Sequence, residues 1–280
     1  MKEIAFVKMH GAGNDFIVLD ARTSSFPIQS IKEHASLLCN RRTGIGADGI
    51  LMLGHSTTHD YYMHYLNADG SEAGMCGNGA RCLARFAFDL GLDAELSFEI
   101  NNLSYRAQVG TEDVSVSFPV SPDPEKIQLD NREWLTLHTG TEHIVSFFDD
   151  IALLSDQWMR DTGKNYRNRL DLFPIGTNVN FASVVNEDHL KIVTYERGVE
   201  DLTLACGTGA IASAISWYHT TKCIQHPLTP VQTHPHIQVD CPGGPLFVSF
   251  DAERKDTTCV YHNICLHGPA VTVFKGMFTL

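Results

Sequence analysis

The chain contains no apolar run approaching the roughly 20 residues that a membrane-spanning helix requires, so no such helix is expected and the membrane is not an expected partner. It contains no C-x-x-C pair among its eight cysteines, which argues against a zinc ribbon or a thioredoxin-type dithiol site. Positive charge is scarce. Lys and Arg total 21 against 33 Asp and Glu, a net charge of −12, and so acidic a balance repels phosphate backbones, which makes nucleic acid an unexpected partner. The amino terminus interleaves Lys2, Glu3, Lys8, His10, Asn14 and Asp15 with short apolar stretches and lacks the apolar core of a signal peptide. A cytoplasmic protein is therefore expected, with its eight cysteines as reduced thiols. What is present fits a soluble globular protein: 280 residues, 43% hydrophobic and 19% charged, enough for one large domain or two of ordinary size.

Short runs with strand character dominate the first half, at 4–9, 15–20, 50–53, 62–67, 96–101 and 114–118. Helical periodicity occurs at 31–41 and from Gly79 to about Leu90, where Leu83, Phe86, Ala87 and Leu90 share a face. The densest proline cluster, Pro119-Val120-Ser121-Pro122-Asp123-Pro124, reads as a domain boundary. The second half repeats the plan, with strands expected at 134–138, 143–148, 178–185 and 189–196, a helix at 207–218, and strands at 236–240, 246–250, 259–266 and 271–274. Two similar α+β domains follow from this repetition.

Six cysteines, Cys39, Cys82, Cys223, Cys241, Cys259 and Cys265, read as small buried hydrophobes. Cys76 and Cys206 differ because their neighbours match: Cys76-Gly77-Asn78-Gly79-Ala80 and Cys206-Gly207-Thr208-Gly209-Ala210 each open a helix after a strand. At a helix entrance the first free N–H groups and the helix dipole favour an anion, and the glycines let a ligand approach the backbone. Each loop is thus an expected anion cradle with a thiol at its lip, and the same field is expected to lower the thiol pKa toward neutrality. Two such cradles across a cleft could grip one carboxylate and put a sulfur on each face of the adjoining carbon, so that one thiolate removes the α-proton while the other thiol delivers one. The helix ends would also stabilise the charge developing in the enolate-like transition state.

These loops belong to a longer series of blocks: Lys8-Met9-His10-Gly11-Ala12-Gly13-Asn14-Asp15-Phe16, Gly44-Ile45-Gly46-Ala47-Asp48-Gly49, Asn67-Ala68-Asp69-Gly70-Ser71-Glu72, Asn178-Val179-Asn180-Phe181 and Tyr195-Glu196-Arg197-Gly198. Taken with both cysteine loops, the series resembles the diaminopimelate epimerases, racemases that work without pyridoxal phosphate, over nearly the whole chain. The resemblance implies an α+β fold of two pseudo-symmetric domains, each a β-barrel-like sheet around a central helix, with the active site in the interdomain cleft. It places one domain at 1–118 plus 266–280 and the other at 119–265. By position it implies Cys76 and Cys206 as the two-base pair, with His143 and Glu196 as flanking acid–base helpers. Asn14, Asn67, Asn178, Glu196 and Arg197 become substrate contacts, and the backbones of Gly77-Asn78 and Gly207-Thr208 become carboxylate cradles. It implies conversion of LL- to meso-diaminopimelate, a small amino-acid substrate, no cofactor and no metal, in a monomer or homodimer.

The chain departs from the family pattern in three places. Thr141 stands where many members carry an asparagine contact, Leu202 where a glutamate is common, and Gly49 where some have a glutamine. Specificity relaxed toward other acidic amino acids is therefore expected. Two other readings stay open, a proline- or hydroxyproline-type racemase of the same superfamily and a non-catalytic amino-acid-binding or thiol redox-sensing protein. The 44–49 block matches a dinucleotide fingerprint by letter, but it follows a helix and precedes a strand, the reverse of what that motif needs. His226, His234 and His236, or His219 with Cys223, could approach a metal, but no converging set of three is legible, and surface histidines are expected.

Overall fold

The computed structural model describes residues 3–223, 232–255 and 258–280, which form two compact units, Met1–Ser117 with Gly268–Leu280 and Phe118–His267. The first contains β1 (Glu3–Gly11), β2 (Asn14–Ala21), α1 (Ile28–Cys39), β3 (Gly49–Gly54), β4 (Tyr61–Asn67), α2 (Gly77–Asp89), β5 (Glu95–Ile100), β6 (Leu103–Val109) and β7 (Asp113–Phe118). The second contains β8 (Glu125–Leu129), β9 (Arg132–His138), β10 (Glu142–Phe148), α3 (Asp156–Arg167), β11 (Asn178–Asn186), β12 (His189–Glu196), β13 (Asp201–Thr203) and α4 (Gly207–Tyr218). It continues through β14 (Gln232–Thr233), β15 (His236–Cys241), β16 (Gly244–Lys255) and β17 (Thr258–Pro269), after which β18 (Val271–Thr279) returns to the first unit.

The duplication seen in the loops extends to the ladders. In the first unit β1 and β2 are antiparallel, β2 and β3 parallel, β3 and β4 antiparallel, β4 and β5 parallel, and β5 and β6 antiparallel. In the second the same alternation runs through β9, β10, β11, β12, β15 and β16. Each parallel pair needs a crossover connection, and α1 and α3 supply it at equivalent places in the two series. The remaining helix of each unit lies inside: α2 packs on β1, β2, β3, β4 and β6, and α4 on β9, β10, β11, β12, β15 and β16. The fold is α+β.

Burial explains the sequence patterns. β3, Gly-Ile-Leu-Met-Leu-Gly, is buried along its whole length, as expected of a strand covered on both faces. Ile50 and Met52 join Ile17, Leu19, Ile31 and Ala35 in the core beneath α1, whereas Leu51 lies against Gly79 of α2. In the second unit Trp134, Ile144, Val179, Phe181 and Tyr195 form the matching core with Met159 and Tyr166 of α3.

Helix α3 is absent from the sequence reading. Only Met159, Gly163 and Tyr166 of its residues are buried, so it has no broad apolar stripe, and Gly163 lowers its helical propensity. The glycine is there for packing: a Cβ at 163 would sit 2.5 Å from the Tyr195 side chain. The legible signal was at its start, where Ser155 caps the helix by accepting from the Trp158 N–H, with Asp156 in the first turn.

One cysteine expectation is corrected. Cys223 and Cys259 are joined as a disulfide, their Cα atoms 6.5 Å apart, so they are not reduced thiols here. The turn after α4 brings Cys223 to Cys259 on β17, a tertiary contact that composition does not reveal. The other six, including Cys76 and Cys206, are in no disulfide among the described residues. Cys39 and Cys82 behave as buried hydrophobes, with burial pushing their thiols up to about 11 and about 12.

Candidate active site

Both cysteine loops are helix N-caps with nearly the same backbone, φ −121° and ψ 116° at Cys76 and φ −111° and ψ 108° at Cys206. The extended cap residue followed at once by helix turns the first-turn amides of Gly77-Asn78 and Gly207-Thr208 toward the cap side, the arrangement that favours an anion.

In the first unit Cys76 Sγ accepts from the Gly79 N–H at 3.4 Å and lies 3.6 Å from Asn14 Oδ1. Asn78 Nδ2 reaches the same Asn14 oxygen at 3.5 Å. The orientation of Asn14 is set on its other side, where Nδ2 donates to Asp48 at 2.7 Å. Asp48 belongs to an ionic cluster in which Arg41 binds both Asp48 and Asp15, and Lys8 pairs with Asp15 at 2.6 Å and donates to the Gly46 carbonyl. The 44–49 block thus serves as an anchor for Asn14, and it connects α1 to β3 in the helix-then-strand order unsuited to a dinucleotide. Arg81, fully buried, was missed by sequence reasoning: it donates to Asn78 Oδ1 at 2.7 Å and to the Gly77 carbonyl at 3.3 Å. A charged residue in the middle of an apolar helix face was the available signal. Asn67 is exposed at the end of β4 and donates to Ser71 Oγ at 3.0 Å.

Burial raises the Asp15 pKa, but hydrogen bonds and charge from Arg41 and Lys8 outweigh it and hold the carboxyl well below its ordinary 3.8. A depressed folded-state value means that the stabilisation is full above about pH 4 and is lost as the pH falls toward the folded pKa. Lys8 is buried, so Lys8→Met should cost roughly 3 kcal/mol at neutral pH. That difference from the parent, measured by urea unfolding, should shrink below about pH 4. An equal loss at pH 7 and pH 3 would place its origin outside the ion pair.

In the second unit Cys206 is buried, with Sγ 3.5 Å from Thr208 Oγ1. Thr139 fixes the loop from below, its hydroxyl donating to the Thr208 carbonyl at 2.9 Å. The expected lowering of the thiol pKa does not hold at Cys206. Burial and then the Glu196 charge raise it well above 9.0, against the smaller opposing effects of Thr208 and the Gly209 N–H. Burial and Glu196 thus favour the protonated form of the Cys206 thiol.

Asn178 is buried and bridges backbone groups, donating to the Glu142 carbonyl at 2.9 Å and accepting from the Arg197 N–H at 2.9 Å. The Arg197 guanidinium donates to the Ile175 carbonyl and to Thr141 Oγ1, each at 3.0 Å. Thr141 is thus a fixed support for Arg197. His143 is buried, with Nδ1 3.0 Å from Asn180 Nδ2, and burial, reinforced by the His138 and Arg197 charges, pulls its pKa down to about 3. The other departures also have local causes. Leu202 packs on the core around Trp134 and Tyr166, and a Cβ at Gly49 would lie 2.5 Å from the Leu66 carbonyl oxygen and 2.7 Å from the Tyr65 ring.

The histidines considered for metal have other partners. His219 Nδ1 meets the Tyr261 hydroxyl at 2.9 Å, His234 pairs with Asp251, and His236 stacks on Phe247. His226 lies outside the described residues, among which no group of three or more His, Cys, Asp or Glu side chains gathers to hold a metal.

Comparison with known proteins bears on this arrangement. The family model for diaminopimelate epimerase matches residues 6–117 and 135–271. The chain is 39% identical to the diaminopimelate epimerase of Chlorobaculum tepidum, over 97% of this chain and 100% of that protein. It is 37% identical to that of Flavobacterium psychrophilum, over 96% and 97%. Among solved structures the fold is similar to a Bacillus anthracis phenazine biosynthesis protein of the PhzF family, with TM-score 0.73 at 13% identity and full coverage of both chains. It is also similar to a hydroxyproline epimerase from Agrobacterium vitis, with TM-score 0.67 at 13% identity, covering 99% of this chain and 93% of that one.

Proposed function

Because the chain belongs to the diaminopimelate epimerase family, we propose that it interconverts LL- and meso-diaminopimelate without a cofactor, using Cys76 and Cys206 as its two proton-transferring groups. The observation that carries this reading is the pair of cysteines capping α2 and α4 with matching geometry. In this reading each sulfur serves one face of the α-carbon, and the first-turn amides of Gly77-Asn78 and Gly207-Thr208 hold the substrate's carboxylate and the charge that develops on it. Cys206, kept protonated by burial and by Glu196, delivers a proton in one direction of the reaction, and Cys76 removes one. The roles exchange in reverse. Glu196 tunes Cys206, and Arg197, braced by Thr141 and the Ile175 carbonyl, offers a guanidinium to the far carboxylate. The test is to incubate the purified chain with a panel of amino acids in deuterated water without pyridoxal phosphate. Inversion with deuterium uptake at the α-carbon of diaminopimelate supports the reading, and no exchange on that substrate refutes it.

The Thr141 hydroxyl is engaged with Arg197, so it offers the far end of a substrate less than an asparagine amide, which could brace Arg197 through its oxygen and donate through its nitrogen. One hydrogen bond to a charged group is worth roughly 1.5–3 kcal/mol, about ten- to a hundredfold. The parent should therefore exchange shorter acidic amino acids measurably, and Thr141→Asn should raise the kcat/KM preference for diaminopimelate by up to that factor. An unchanged ratio would remove Thr141 from specificity.

A further inference from the structure

The buried network beneath the Cys206 loop contains a proton assignment that can be read from geometry. Asn180 on β11 is fully buried, and its side-chain nitrogen has two neighbours, the Ile144 carbonyl at 2.9 Å and His143 Nδ1 at 3.0 Å. Its side-chain oxygen has one, the Thr194 hydroxyl at 2.9 Å. A carbonyl oxygen can only accept, so the Asn180 atom facing Ile144 must be the NH₂ group, and the amide cannot be flipped. Its two protons then meet two acceptors, which obliges His143 Nδ1 to present a lone pair. The Thr194 hydroxyl completes the set by donating to Asn180 Oδ1.

We infer that Asn180 is a positioning residue that locks His143 in the neutral tautomer with its proton on Nε2, so that His143 works as a hydrogen-bond donor and not as a general base. His143 Nε2 is buried and has no hydrogen-bond partner among the described residues. An N–H kept there without a partner is costly, and the chemistry that relieves it is an acceptor such as a carboxylate oxygen of a bound amino acid. The charged and titratable groups that bear on the ring are His138 on β9 and the Arg197 guanidinium, and both disfavour an imidazolium.

A second observation ties this network to the cysteine loop. A Cβ built on Gly209, in the first turn of α4, would lie 2.4 Å from Asn180 Oδ1, 3.0 Å from Thr194 Oγ1 and 3.3 Å from Cys206 Cβ. The Asn180 amide therefore occupies the space that a side chain at 209 would take, directly against the turn that carries the thiol. Asn180 thus connects the proton state of His143 to the footing of Cys206.

The consequence for catalysis rests on the epimerase reading above; the tautomer does not. The experiment is ¹⁵N NMR of the histidine side chains in the full chain between about pH 5 and 9, with kcat followed over the same range. In the parent the His143 spectrum should show an unprotonated Nδ1 and a protonated Nε2 throughout. Asn180→Asp presents only acceptors to the ring, so Nδ1 should become protonated, the ring should titrate within the range, and kcat should fall ten- to a hundredfold with a new pH limb. Asp at 180 also faces the Ile144 carbonyl and could prevent folding, so Asn180→Ala provides the second reading: the Nδ1 partner is removed, both tautomers should populate, and kcat should fall severalfold. A parent with Nδ1–H, or an Asn180→Ala variant with the parental tautomer, would overturn the lock. A shifted tautomer with unchanged kcat would overturn the donor role. Failure of the epimerase reading would appear separately, as no α-proton exchange by the parent.

Discussion

Alanine at Cys76 or at Cys206 should lower the rate of diaminopimelate epimerisation by about 10²–10⁴-fold or more, the usual loss when a positioned acid or base is removed. The two variants should be similarly impaired, because inversion needs a proton removed from one face and another delivered to the opposite one. Each substitution deletes a single sulfur at a helix cap and leaves the cap backbone able to adopt the same extended conformation, so circular dichroism should change little, with only a modest loss of stability from the Gly79 N–H freed at Cys76 and the buried sulfur removed at Cys206. Cys82→Ala is the control. Cys82 is fully buried in α2, only six residues beyond Cys76, and its thiol is pushed up to about 12 by burial; this variant should lose some stability and keep its kcat. Near-parental turnover by either Cys76→Ala or Cys206→Ala would end the two-base account.

Gly209→Ala should be nearly as damaging, for a steric reason. The added methyl would meet Asn180 Oδ1 at 2.4 Å, and Asn180 cannot yield easily because its amide is held by Ile144, His143 and Thr194 at once. Either the amide moves and frees Nδ1 of His143, or the first turn of α4 moves and takes Cys206 with it. A displacement of the reacting group by about 1 Å can cost on the order of a hundredfold in rate, and overpacking of this kind costs about 1–3 kcal/mol of stability. Gly209→Ala should therefore lose kcat about a hundredfold, even though alanine is the better helix former. A variant of parental activity would show that the loop has slack that the described packing lacks. Measuring kcat and urea unfolding on the same preparation separates the two effects.

How far the sequence carries the reader differs from residue to residue. The cysteine loops were legible because a helix cap is a local device: a strand end, a small residue and two glycines write it within five letters. The helices α2 and α4 were legible for the same reason, and the duplicated strand plan followed from two similar runs of apolar segments. The helix α3 was not, because its stability comes from Met159 and Tyr166 docking on a core that only the folded sheet creates. The Cys206 thiol misled in the opposite sense. A cap position promises a lowered pKa, but the complete burial of this one and the nearby Glu196 are tertiary facts, and they reverse the sign. Asn180 and Arg81 were invisible as functional residues for a related reason. Each is an ordinary polar letter in sequence and becomes informative only when its partners, His143 for the one and Asn78 for the other, are in place. Thr141 sits between these cases: its departure from the family pattern was plain, but its hydrogen bond to Arg197, which gives the departure a meaning, was not.

The most direct test of the central proposal follows where the label goes in the first moments of reaction. LL-diaminopimelate is mixed with the purified chain in deuterated water, and substrate and product are separated and analysed by mass spectrometry before much substrate is consumed. If two thiols act on opposite faces, the meso product should carry one deuterium at the inverted carbon from the outset, while the remaining LL substrate stays unlabelled. Deuterium entering the LL substrate as fast as it enters the product would mean that one base serves both faces, and the two-cysteine account would be wrong.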